Sequence, residues 1–279
     1  MDAPVAPTLT EKTTPCPGVE VYFPTLDDEA VSITVWRLAD GVREVVRGAE
    51  GASVSGDFVV TDWEAPFGVV ITYVGEVFDV GGASVTGAQS TTQIDHDEVW
   101  FQDQVDPERS LPIYLDPTTR QALTKGAAES IRRTRSTSKQ FVFGQYRPFL
   151  QNFGLGPIEG LQMGSYTETE QTMQLMLELL QVSPLTVRTP PLFASLPRVL
   201  SVDIATPEAR PVRQDKGGFR HLWVLVLDEV QPVAKAIIKP LVSWSDWETA
   251  FPEDEYTWTE VELVYSAGTW TDAVRNPPL

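Results

Sequence analysis

The chain has 279 residues, 42% of them hydrophobic, enough for two compact domains. Its formal net charge of −18 argues against nucleic acid as a partner, because a polyanion is repelled. The one cysteine, Cys16, excludes a disulfide framework and a thiolate metal site, and no apolar run approaches the roughly eighteen residues that span a bilayer.

The N-terminus MDAPVAPTLT lacks the basic and apolar regions of a signal peptide, so the expectation is a soluble protein made in a cytoplasm. Residues 1–18 are rich in proline and threonine and read as an extended arm. From Val19 short runs of strand character follow. Val31-Ser32-Ile33-Thr34-Val35-Trp36 and Asp57-Phe58-Val59-Val60 alternate with period two, and Gly68–Val74 is a third apolar run. Asp40-Gly41 and Gly81-Gly82 sit where hairpin turns belong. Residues 19–95 are therefore expected to form a small β-sandwich.

A second β-rich block, 96–240, is expected to be a barrel or sandwich with strands at Leu111–Leu115, Phe141–Phe143, Val199–Ala205 and Phe219–Val230. In the last, Leu222–Leu227 is apolar on both faces, which reads as a central strand covered on both sides. One helix interrupts these strands at 167–181. Thr167 and Glu170 have the spacing of a capping box, Met173, Met176, Leu177 and Leu180 recur on one face, and Ser183-Pro184 stops the run. A helix packed on a sheet explains those methionines better than a binding groove.

Pro117–Gln140 breaks the charge pattern. Arg120, Lys125, Arg132, Arg133, Arg135 and Lys139 face one acid, Glu129, so this loop is +5 where the remainder is −23. Two readings stand: a solvated surface loop, or an arm that reaches an acidic neighbour such as an identical subunit.

The tail, 241–279, repeats one phrase three times: Ser243-Trp244-Ser245-Asp246, Thr257-Trp258-Thr259-Glu260 and Thr269-Trp270-Thr271-Asp272. Ser245 with Glu248 and Thr259 with Glu262 have capping-box spacing, and the acids suit the first turn of a helix. A tryptophan ring buries roughly 150–250 Å², at about 25 cal/mol per Å² roughly 4–6 kcal/mol. A cap contributes only about 1 kcal/mol. The phrases thus read as short helical pegs whose rings dock, either on the chain's own domains or on a neighbour.

The residues that carry enzyme chemistry are sparse. His221 lies within the strongest strand and reads as a sheet residue; His96 in Asp95-His96-Asp97-Glu98 reads as part of a polar turn. There is no HExxH, GxSxG or P-loop, and Gly154-Leu155-Gly156 is expected to be a turn. The expectation is no active site, no metal and no cofactor. Trp36, Trp63 and Trp100 are candidates for stacking on a sugar, with Trp36 better explained as core, so a glycan-binding module is the second hypothesis.

Several phrases, in order, resemble the minor tail proteins of siphophages that infect actinobacteria. They are Thr61-Asp62-Trp63-Glu64-Ala65-Pro66-Phe67-Gly68 followed by Tyr73; Val99–Asp103 with Asp106-Pro107; Leu185–Arg188 with Thr189-Pro190-Pro191; Glu229-Val230-Gln231-Pro232; and the final tryptophan phrases. The resemblance covers about residues 20–279. It departs in a longer basic loop and in a last repeat without its aromatic partner. It implies an N-terminal sandwich of fibronectin type III or immunoglobulin character and a structural role in the virion's tail tip or baseplate, like that of distal tail proteins. The partners it implies are further copies in a ring of three or six, the tail tube, other tail-tip proteins and a tape-measure protein.

Overall fold

The computed structural model describes residues 1–113, 131–140, 149–167, 169–191, 193, 196–205, 207–211 and 221–233. The fold is mainly β, with a single helix among the described residues. These residues fall in two compact units: Met1–His96 with Val105–Glu108, and Asp97–Gln104 with Arg109–Val233.

The first unit has eight strands, β1 (Thr8–Lys12), β2 (Gly18–Phe23), β3 (Ser32–Ala39), β4 (Val42–Val45), β5 (Ala52–Ser53), β6 (Phe58–Asp62), β7 (Ile71–Phe78) and β8 (Ser84–Thr92). They make the expected sandwich, one sheet ordered β1-β2-β6 and the other β4-β3-β7-β8 with β5 also on β3. Period-two alternation builds its core. Val19, Val21 and Phe23 of β2 are buried, as are Ile33 and Val35 of β3 and Ile71, Tyr73 and Val77 of β7. The sheets meet so closely that a Cβ on Gly75 of β7 would lie 2.8 Å from the Phe23 ring of β2. Asp40 and Gly41 both take positive φ, 49° and 77°, as a type I′ hairpin turn between β3 and β4 requires.

Two expectations change here. Residues 1–18 are no free arm: β1 pairs with β2 in one sheet, while Pro4 and Pro7 lie buried beside β8 of the other. The Pro4 carbonyl accepts from Ala88 N–H at 3.1 Å and the Pro7 carbonyl from Ser90 Oγ at 2.6 Å. Proline offers carbonyls but no N–H, so it suits this edge position. Trp36 is not core. It shares the outer face of β3 with Leu38, donates Nε1–H to Glu76 at 3.0 Å, and is covered by the Arg43 guanidinium 3.9 Å above its ring.

Inside the sandwich, the alternation that buries Val35 also buries Arg37. Its Nη1 donates to Asp62 Oδ1 and Oδ2 at 2.9 and 3.0 Å and to the Glu64 carbonyl at 2.7 Å, and its Nη2 to Glu44 at 2.6 Å. Tyr73 Oη donates to Asp62 at 2.8 Å. Asp62 ends β6 and its two partners stand on β3 and β7, so this network ties one sheet to the other. Burial opposes the Arg37 charge, but the Asp62 carboxylate and then Glu44 outweigh it and hold its pKa above the ordinary arginine value.

The second unit holds β9 (Val99–Asp103), β10 (Ser110–Ile113), β11 (Arg132–Gln140), β12 (Phe149–Glu159), β13 (Leu161–Thr167), α1 (Glu170–Leu179), β14 (Leu185–Arg188), β15 (Val199–Ile204), β16 (Glu208–Pro211) and β17 (His221–Glu229). Seven strands form one antiparallel sheet, ordered β10-β9-β14-β15-β17-β13, with β16 also on β17. As expected, β17 is central. However, Trp223, Leu225 and Leu227 are buried on one face while Leu222, Val224 and Val226 stay half-buried on the other.

The buried face continues across the register through Leu161, Met163, Val202, Leu185, Val187, Phe101 and Val99, and α1 covers it with Met176 and Leu179. The methionine face is therefore packing against a sheet. Its stripe is rotated from the expected one: Leu179 is buried, whereas Leu177 is 38% exposed. The cap also shifts. Thr169, not Thr167, caps α1 in a reciprocal box with Thr172. Thr167 is the buried end of β13, where its hydroxyl accepts from Trp223 Nε1–H at 3.0 Å. The expected strand at Phe141–Phe143 lies outside the described residues.

Candidate assembly surfaces

The described part of the basic segment is not a loop. From Arg132 to Gln140 it is β11, paired antiparallel with β12. Hydrophobic periodicity cannot find this strand, because RRTRSTSKQ has no apolar residue in either parity. Backbone pairing with β12 holds it. The register shifts on both sides of Arg135 mark bulges. Gly154-Leu155-Gly156, expected as a turn, instead lies inside β12, and near the first bulge Gly156 lets the Thr134 carbonyl come within 2.8 Å of where a Cβ would sit.

Among the described residues, β11 and β12 pair only with each other, a two-stranded ribbon separate from the seven-stranded sheet. At about 3.3 Å per residue, eleven-residue β12 is roughly 36 Å long. The ribbon is rooted at the end of β17. Ile158 lies in the second unit's core, and its N–H donates to Glu229 Oε2 at 2.7 Å. Gly160, at φ 65°, donates its N–H to Asp228 Oδ1 at 2.7 Å, and Arg133 Nη2 stands 3.8 Å from Glu229. Beyond that root Arg132 and Leu155 are exposed, Leu155 by 66%.

Of the residues singled out by sequence, the structure gathers Arg132, Arg133, Arg135 and Lys139 on this one strand. Arg120, Lys125, Trp244, Trp258 and Trp270 lie outside the described residues. The sugar-stacking candidates fare differently. Trp63 is 8% exposed, and its ring packs where a Cβ on Gly18 would come within 2.7 Å, so it has no free face for a sugar: it belongs to the sandwich core. Trp100 is half-buried on β9, in register with Pro112 and Arg188.

His96 packs its ring against Phe67, centroids 5.2 Å apart, with Nε2 4.0 Å from Glu11. His221 opens β17 in register with Thr167, as a sheet residue does. Among the described residues no cluster of three or more His, Cys, Asp or Glu could hold a metal ion, and no helix is long and apolar enough to cross a membrane.

Sequence reasoning missed the Arg37–Asp62–Tyr73 network. The signal was present: Arg37 continues the inward parity of Ile33 and Val35, and an arginine there requires a buried carboxylate.

In comparisons with known proteins, no family model and no curated protein matches the chain, which leaves its geometry to carry a functional reading.

Proposed function

We propose that this chain is a structural subunit of the tail tip or baseplate of a siphophage infecting an actinobacterium. It acts by contact rather than by catalysis. In this reading it forms a ring of three or six copies that links the tail tube to hub or receptor-binding components, assembled in the host cytoplasm and kept in the virion.

The observation that carries the reading is the ribbon. A two-stranded hairpin alone is marginal in water, yet β11–β12 is long, pairs only with itself among the described residues, and concentrates cations on an acidic chain. Such an element gains its stability by lying on another surface. Head-to-tail contacts that close by rotation make rings. The order of phrases shared with tail proteins supports the same reading, and the burial of Trp63 removes one of the two rings on which a glycan-binding alternative depends.

The test is to purify particles of the encoding phage and label their tails with antibody to this chain. The expected result is label at the tail tip, and tails that fail to mature when the gene is deleted. A chain absent from purified particles overturns the proposal.

A further inference from the structure

The N-terminal sandwich and the β11–β12 ribbon carry opposite charge in a way that fits two copies together. Residues 1–96 hold fifteen Asp and Glu against four Lys and Arg, a formal −11. All four cations are engaged by carboxylates of the same unit: Lys12 by Glu20 at 2.9 Å, Arg37 by Asp62 at 2.9 Å, Arg43 by Glu76 at 3.8 Å and Arg47 by Glu64 at 2.8 Å. The sandwich therefore presents excess negative charge outward, with Asp28, Asp40 and Glu50 all exposed. The strands β11 and β12 are its complement: four Lys and Arg against the one carboxylate of Glu159, a formal +3 on a chain otherwise −21.

We infer that the basic ribbon β11–β12 of one copy docks on the acidic N-terminal sandwich of a second copy. The inference rests on the assembly reading above and names the surfaces that meet. Two ribbons brought face to face repel, as do two sandwiches, so the favoured contact joins unlike surfaces. That is a heterologous, head-to-tail contact, the kind that propagates around a ring. Exposed Leu155 adds apolar area to a surface whose selectivity comes from charge.

Sedimentation of the full chain tests this. Wild-type protein is expected to self-associate with concentration. The association should weaken about tenfold or more between about 0.1 M and 1 M salt, as the Debye length falls from roughly 10 to 3 Å. The variant Arg132→Glu, Arg135→Glu, Lys139→Glu leaves Arg133 on Glu229 and is expected to keep the wild-type melting curve while losing self-association. Its sandwich is intact, so mixed with wild type it still accepts one wild-type ribbon and ends the assembly there.

A reversed variant that associates like wild type overturns the inference, as does a wild-type chain that stays monomeric at every salt and concentration. A chain that is monomeric but present at tail tips sinks this contact and leaves the tail reading standing. One that self-associates but is missing from particles does the reverse.

Discussion

In the N-terminal sandwich each of four cations is held against a carboxylate of its own unit, whereas β11 sets four cations along one strand with no carboxylate among them. Arg37 and Arg132 show the contrast best. The first is buried, and its hydrogen bonds to Asp62 tie the two sheets together. The second is exposed on a ribbon. Removing a partner from a buried ion pair leaves a charge the interior cannot solvate, while changing an exposed charge costs the fold little. One region thus uses arginine for its own stability, and the other leaves Arg132 in solvent.

The largest expected effect lies in the sandwich. Asp62→Ala leaves Arg37 buried without its main counter-charge and should cost about 3–5 kcal/mol, read from urea unfolding of the full chain. A loss under about 1 kcal/mol would mean Arg37 reaches water or another acid, and would break the contrast. Trp63→Ala should cost a similar amount, about 3–5 kcal/mol, through the cavity it opens in the core. If the variant instead unfolds like wild type and loses affinity for cell-wall polysaccharide, the ring is a ligand platform after all.

Smaller effects sharpen the picture. Tyr73→Phe removes one donor from the Asp62 carboxylate and should cost about 1.5–3 kcal/mol. In the second unit, Thr169→Ala should cost about 1 kcal/mol, the value of a helix cap, whereas a cap at Thr167 would leave Thr169→Ala neutral. The smallest effect on stability is expected in the ribbon, where reversing Arg132, Arg135 and Lys139 should shift unfolding by no more than about 0.5 kcal/mol per site.

Much of this fold is legible in the sequence where period-two alternation meets turn chemistry. The sandwich strands around Val35 and Val60, the Asp40-Gly41 turn and the central β17 all announce themselves. Three features do not, each for a physical reason. β11 is polar in both parities, so only its backbone pairing with β12 defines it. Thr167 matches the capping pattern, but its hydroxyl is taken by Trp223, and the helix starts two residues later. Trp63 follows a strand and precedes Pro66, so sequence places it in a turn; its burial depends on the space that Gly18, far away in sequence, leaves open. The basic segment is half legible: composition shows the charge of 117–140 but not that Arg132–Gln140 is a strand. The tryptophan phrases of 241–279 lie outside the described residues. Deleting 241–279 is expected to leave both β units folded and block incorporation into particles; a truncated chain that fails to fold would place those rings in the chain's own core.

The most direct test of the assembly account is a cryo-EM map of the intact tail tip. The account predicts a closed ring of this chain in which the β11–β12 ribbon of each copy lies against the N-terminal sandwich of the next. A map that accounts for the whole tail tip without this chain would contradict it.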